Sequence, residues 1–265
     1  MKKILALILA AVMLTMCLAS CGTKGKSLAE VKEAGKLVIA TSPDFPPFEE
    51  LKENGNVEGI EIEILQLICD ELGVELEIAQ MDFDSVLPGI QAGKYDVGVS
   101  GISITPDREK NAMFTDPYCL AAQAIVVVDG SAIKGKADLD GKKISVQSGT
   151  TAETFCTQNG YDILAFQSNS DAELALTTGK VDAWVIDDLT AAEMVAVYND
   201  ENPDAPLVIL GEAMTTEPYA FAFTKNGSED LVEEINKIIA KLVADGTIEA
   251  IFEKYDAPYT APTGN

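Results

Sequence analysis

The sequence predicts an α/β fold of mostly parallel sheets flanked by helices, and three observations carry that reading. Short apolar runs alternate with stretches of helical periodicity along the 265 residues. The intervening helices have about the length, 10–15 residues, that links parallel strands. Forty-seven per cent hydrophobic content is ample for packed cores, so the roughly 245 residues after the leader described below fill one large domain or two lobes.

The elements follow in order. "KLVIAT" (36–41) is a short apolar run stopped before Pro43, hence a strand. Ile60, Ile64, Leu65, Ile68 and Leu72 recur at helical spacing, with Gly73 as the stop. "VELEIA" (74–79) alternates as a strand does. "SVLPGIQAGK" (85–94) reads as a helix with Pro88 in its first turn, and "YDVGVS" (95–100) as the next strand. Thr105 and Pro106 open a further helix as cap and first residue.

After Asp116-Pro117 the pattern repeats. "AAQAIVVV" and "KKISVQ" are strands, and "GTTAETFCTQNG" is a helix closing on Gly160. "SDAELALTTGK" is a helix, "VDAWVID" a strand and "DLTAAEMVAVY" a helix. Pro203 and Pro206 break the chain before the strand "PLVIL", and "YAFAF" is the last strand. Leu231, Ile235, Ile238, Ile239, Leu242 and Val243 mark an amphipathic helix, followed by a short one in "TIEAIFEKY".

The first twenty residues stand apart from this alternation. Lys2 and Lys3 precede a run, Ile4 to Met16, that is apolar apart from Thr15, and then Leu18-Ala19-Ser20-Cys21. That is the pattern of an export signal, too short for a stable span. Leu-Ala-Ser-Cys resembles a lipobox, which implies that Cys21 becomes the lipidated first residue; ordinary cleavage nearby, leaving a free secreted protein, is the alternative, and residues 21–27 read as a tether. Cleavage after Ser20 removes two lysines and leaves a net charge of 17 − 43 = −26. So acidic a surface argues against nucleic acid and against electrostatic adhesion to anionic lipid.

With no histidine in the chain, serine–histidine hydrolysis and most metal chemistry are excluded. No dinucleotide fingerprint, Walker loop or Gly-x-Ser-x-Gly turn occurs, and no cofactor is expected. Cys69, Cys119 and Cys156 match no zinc spacing. Cys69 reads as a buried thiol, whereas a pairing of Cys119 with Cys156 stays open.

Five segments combine special backbone chemistry with side chains suited to a small zwitterion. "SPDFPPFEE" (42–50) sets Phe45 and Phe48 about two prolines, with Phe48 the better core candidate. "MDFDSVLPGI" (81–90) places Phe83 between aspartates, and "SGISITPDREKNAMFTDPY" (100–118) carries a lone Arg108. In the second half, "QSGTT" (147–151) is a strand-to-helix turn and "WVIDD" (184–188) ends a strand on aspartate. In open α/β sheets ligands bind beyond the carboxyl ends of strands, where all of these fall.

Taken in order from about Gly35 to Tyr255, these phrases resemble the amino-acid-binding group of bacterial extracellular solute-binding proteins, receptors of ATP-driven importers. The resemblance implies a two-lobed, type II periplasmic-binding-protein-like fold, each lobe a mostly parallel sheet flanked by helices. Lobe 1 would be residues 28–118 and 218–260, lobe 2 residues 123–212, with two hinge crossings near Tyr118–Ala122 and Ala213–Pro218. It further implies that Arg108 clamps the ligand's α-carboxylate, aided by Ser103 and Thr151. Gly101 and Ser100 would line the amino group, Asp187 would bind the ammonium, and Phe45 and Phe83 would sandwich the side chain. Ser42 stands where many relatives carry aspartate, with Asp44 nearby. Gln147 stands where some carry lysine or leucine. Both positions bear on the ligand's side chain.

The function so implied is a monomeric receptor, lipid-anchored on the extracellular face of the cytoplasmic membrane, that hands a free amino acid to permease subunits of an ABC importer. Polar-neutral or basic amino acids suit the lining best. A dehydratase on the same scaffold is the enzymatic alternative, with Asp44 or Glu49 as general acid, and an amino-acid sensor is the third reading.

Overall fold

The structure, a computed structural model, describes residues 23–211 and 214–262. The export signal (1–20), Cys21 and Ala213 lie outside the described residues. The first half comprises α1 (Leu28–Ala34), β1 (Lys36–Thr41), β2 (Asp44–Phe45), β3 (Glu49–Leu51), β4 (Val57–Glu58), α2 (Ile60–Leu72), β5 (Glu75–Gln80), α3 (Phe83–Gln91), β6 (Val97–Gly98), α4 (Pro106–Glu109) and β7 (Ala112–Phe114). A first crossing, β8 (Cys119–Ala121), leads to β9 (Gln123–Val128), β10 (Lys143–Gln147), α5 (Thr151–Gln158), β11 (Asp162–Phe166), α6 (Asn169–Thr177), β12 (Ala183–Asp187), α7 (Asp188–Glu201) and β13 (Leu207–Leu210). The chain returns through β14 (Glu217–Tyr219) to β15 (Ala222–Thr224), α8 (Glu229–Ala244) and α9 (Thr247–Lys254).

Two five-stranded sheets result, ordered β5-β1-β6-β15-β7 and β11-β10-β12-β9-β13. In each, four strands run one way and one runs against them, β15 in the first and β9 in the second. Both reversed strands are those the chain enters directly from a crossing. Arriving at the carboxyl edge of the other strands, the chain can only run back along them. The crossings β8 and β14 pair antiparallel as a two-stranded ribbon, Glu217 opposite Ala121 and Tyr219 opposite Cys119. The C-terminal segment braces that ribbon, with the Leu120 N–H donating to the Thr260 carbonyl at 2.9 Å.

Local sequence accounts for the elements. α2 stops where Gly73 takes the left-handed conformation (φ 74°) and its N–H donates to the Asp70 and Cys69 carbonyls. α8 buries Leu231, Ile235, Ile238, Ile239 and Leu242 as one stripe. The first sheet's core stacks Tyr118 on Phe221 at 5.1 Å between ring centres, while Trp184 is buried in the second half.

Some boundaries differ from the sequence reading. α3 begins at Phe83, so Pro88 lies in its second turn and the helix loses the hydrogen bond that Pro88 cannot donate. "YAFAF" is divided: Tyr219 ends the return crossing and Ala222 begins the sheet strand. Periodicity also passed over β11, an edge strand only partly buried. Cys69, Cys119 and Cys156 are all buried free thiols, which closes the question of a Cys119–Cys156 bond.

Candidate functional site

Both sheets share one topological feature. From β1 the chain moves outward to β5 and then back past β1 to β6; from β10 it moves to β11 and back to β12. A crevice opens at the carboxyl ends where successive connections diverge to opposite sides. The two crevices face each other. Residues from both converge on a cavity of 10 Å³, about room for one water. Its lining includes Asp44, Phe45, Phe83, Ser100, Gly101, Ser103 and Arg108 from the first half. Gln147, Thr150, Thr151 and Asp187 complete it from the second. Ser42 does not line it; the Ser42 hydroxyl instead donates to Asp44 Oδ1 at 2.8 Å.

Arg108 is set by its helix start. Pro106 is the first residue of α4, and the Thr105 hydroxyl accepts from the Arg108 N–H at 3.2 Å. The side chain then reaches across the cleft. Its Nη1 donates to the Ser103 carbonyl at 2.9 Å, and its Nη2 donates to the Gly149 carbonyl at 3.1 Å. The guanidinium carbon lies 5.6 Å from the Phe83 ring centre, a cation–π contact. Burial pushes the Arg108 pKa down, opposed by Asp187 and Glu217, but a guanidinium stays charged.

Asp187 occupies the N-cap position of α7 without capping it. Asp188 does the local work: its Oδ1 accepts from the Leu189 N–H at 2.9 Å and the Ala122 N–H at 3.1 Å. The Asp187 carboxylate is thereby left to the cleft, where Gln123 Nε2 donates to Oδ1. Burial, then Glu217, hold its pKa well above the ordinary aspartate range; Tyr219 and Arg108 pull the other way.

Thr151 opens α5, so its N–H is among those the helix leaves unpaired, while the Thr150 hydroxyl accepts from Glu153 N–H at 3.1 Å. Gly101 has φ 52°, and a Cβ there would lie 2.4 Å from the Phe45 ring. Only glycine leaves room for that ring against the backbone. Its N–H donates to buried Glu61 at 2.9 Å. Gly149 (φ 79°) approaches the Asp84 backbone across the cleft, where a Cβ would sit 3.1 Å from Asp84 Cα.

Asp44 carries most of the bonding between the halves at the other end. Its Oδ2 accepts from Gln147 Nε2 at 3.0 Å and from the Asn169 N–H at 2.9 Å. Asn169 Nδ2 donates onward to Gln147 Oε1 at 3.1 Å. Glu49 lies beneath, fully buried, accepting from the Ser100 hydroxyl at 3.0 Å, and burial with Glu61 alongside raises its pKa well above the usual range. A larger hollow of 380 Å³ opens beyond Asp44, lined by Glu173, Glu193, Glu201, Met194 and Tyr198 among others. It holds no cation to match an anionic group.

Sequence reasoning missed Thr150, Gln123 and Asn169. Thr150 was legible as a helix cap. The other two act through contacts with residues far along the chain.

A family model for bacterial extracellular solute-binding proteins, family 3, matches residues 37–257. The chain belongs to that family. Among its relatives, the L-cystine-binding protein TcyJ of Escherichia coli is 32% identical over 232 residues, covering 86% of this chain and 85% of TcyJ. An ancestral arginine-binding protein solved with arginine bound is 40% identical, with a TM-score of 0.76 over 83% of this chain and 98% of that one. The ancestral amino acid-binding protein AncCDT-1, described as a precursor of cyclohexadienyl dehydratase, is 33% identical, with a TM-score of 0.77 over 86% and 98%. Family 3 proteins are extracytoplasmic, and the two mixed sheets flanked by helices are their bilobed fold.

Proposed function

We propose that this family 3 protein is a binding receptor for one free α-amino acid, which it holds between the halves and passes to an ABC importer. The observation that carries the reading is the placement of Arg108 and Asp187 on opposite halves of one small cavity. A guanidinium offers parallel donors to a carboxylate, and a buried carboxylate seeks an ammonium. One zwitterion satisfies both and bridges the cleft. Ser103 and Thr151 support the carboxylate, Gly101 and Ser100 the amino end, and Phe45 and Phe83 the side chain. The lobes are residues 28–118 with 218–260, and 123–212. The cavity is far smaller than any amino acid, so entry requires the lobes to part about the β8–β14 ribbon.

The side chain would point toward Ser42, Asp44 and Gln147. An amide or guanidinium can replace the Gln147 donation to Asp44 bond for bond. An acidic side chain would meet Asp44 with no free cation, and burying an unpaired carboxylate costs several kcal/mol. Polar-neutral and basic amino acids are therefore favoured, and relatives named for cystine and arginine fit that class. Turnover is disfavoured because Asp44 is fully engaged in hydrogen bonds and Glu49 lies outside the cavity. Lipidation of Cys21 would tether the monomer outside the cytoplasmic membrane, beside its permease. Loss of lipid label in Cys21→Ser tests that anchor.

A thermal-shift panel of the common amino acids and cystine tests the receptor reading. The largest stabilisation should come from a polar-neutral or basic member. A largest shift from glutamate or aspartate would overturn the side-chain assignment, and no shift from any would overturn the receptor itself.

A further inference from the structure

Gln123 is the first residue of β9, directly after the first crossing, and only 1% exposed. In the β9–β12 ladder it pairs directly with Asp187. Its Nε2 donates both to Asp187 Oδ1 and, at 3.1 Å, to the Thr151 hydroxyl. Its main chain is tied to the other crossing: the N–H donates to Thr215 Oγ1 at 2.9 Å, and the carbonyl accepts from the Met214 N–H at 3.0 Å. A glutamine kept for packing would pair both ends of its amide. Here the donor end is used twice while the buried Oε1 has no partner among the described residues.

We infer that Gln123 is a positioning residue for the ligand's ammonium site, fixing the Asp187 carboxylate and the Thr151 hydroxyl as one unit anchored to both crossings. The inference rests on the reading of Asp187 as ammonium acceptor and adds how that acceptor is aimed and how its ionised form is favoured. With Oδ1 occupied by Gln123, the other carboxylate oxygen is presented to the cleft. The donation to Oδ1 also stabilises the ionised carboxylate against its surroundings. Those surroundings include Glu217 and Asp188, which repel it, Arg108, which attracts it, and the hydroxyl of Tyr219 and thiol of Cys119. Gln123 does not line the cavity, so its effect on ligand passes through Asp187.

Removing the donor should make Asp187 hold its proton to higher pH, and a neutral carboxyl attracts an ammonium weakly. Gln123→Met keeps the volume and removes both hydrogen bonds. The probe is the amino acid giving the largest thermal shift in the panel, titrated calorimetrically from pH 5.5 to 8.5. The expected result is affinity at least tenfold below wild type at the acid end, with the deficit narrowing as pH rises. A deficit equal at every pH, or none, overturns the inference, because a packing role has no reason to follow proton occupancy. Asp187→Asn run alongside separates the two claims: if it binds as wild type does, the ammonium reading itself fails. Should Gln123→Met not fold, the wild-type protein decides. The side-chain amide nitrogen of Gln123, assigned by triple-resonance NMR, should shift with pH together with the Asp187 carboxyl carbon. Independent titration of the two signals overturns the proposal.

Discussion

Asp44 accepts a 3.0 Å hydrogen bond from Gln147 across the cleft between the two sheets. With Asn169 on the same oxygen, it is the most heavily bonded contact between the halves around the cavity. Asp44→Ala removes this tie and the carboxylate that lines the cavity at the proposed side-chain end. Both L-arginine and L-glutamine should bind more weakly, arginine by the larger factor, because only it loses a counter-charge. Parallel calorimetric titrations check this; equal losses would detach Asp44 from ligand choice.

Arg108→Ala strands a ligand carboxylate in a closed cleft. Losing one partner of a buried charge pair costs about 3–5 kcal/mol. The affinity for every amino acid should fall at least about a hundredfold, since about 1.4 kcal/mol is tenfold. A loss below tenfold, with an unchanged circular dichroism spectrum, would return Arg108 to a structural role at the Gly149 carbonyl.

Much of the architecture was legible because local signals coincide with tertiary need. "KLVIAT" is a strand over the same six residues, and Thr105-Pro106 starts α4 where a hydroxyl cap and a missing N–H are useful. The cleft residues were legible as chemistry misplaced in an acidic chain, Arg108 above all. What could not be read depends on distant partners. Asp44 read only as an acid near the ligand's side chain, because its partners Gln147 and Asn169 lie over a hundred residues later in the chain. Gln123 sits in an apolar strand where its amide has no local explanation. The division of "YAFAF" follows from the crossing, which no local propensity announces.

The raised pKa of Asp187 makes binding depend on pH, and the sign is determined. An ammonium needs the carboxylate ionised, so binding below that pKa expels a proton. Affinity should rise with pH and level off once Asp187 is ionised without ligand. Ligand-free stability has the opposite slope, because a carboxyl whose pKa is raised by folding contributes less as pH climbs through that value; Glu49 acts in the same sense. Calorimetry in two buffers of different ionisation enthalpy measures the proton count. Net proton uptake on binding would contradict this assignment.

The central claim is that one amino acid spans the cleft by both of its backbone charges, the carboxylate on Arg108 and the ammonium at Asp187. Calorimetric titration of the mature protein with the best amino acid of the panel, beside its N-acetylated and its decarboxylated forms, tests it most directly. Each altered form should bind at least about a hundredfold more weakly, because each leaves one buried charge unpaired. Binding of either form within tenfold of the parent amino acid would contradict the two-charge bridge.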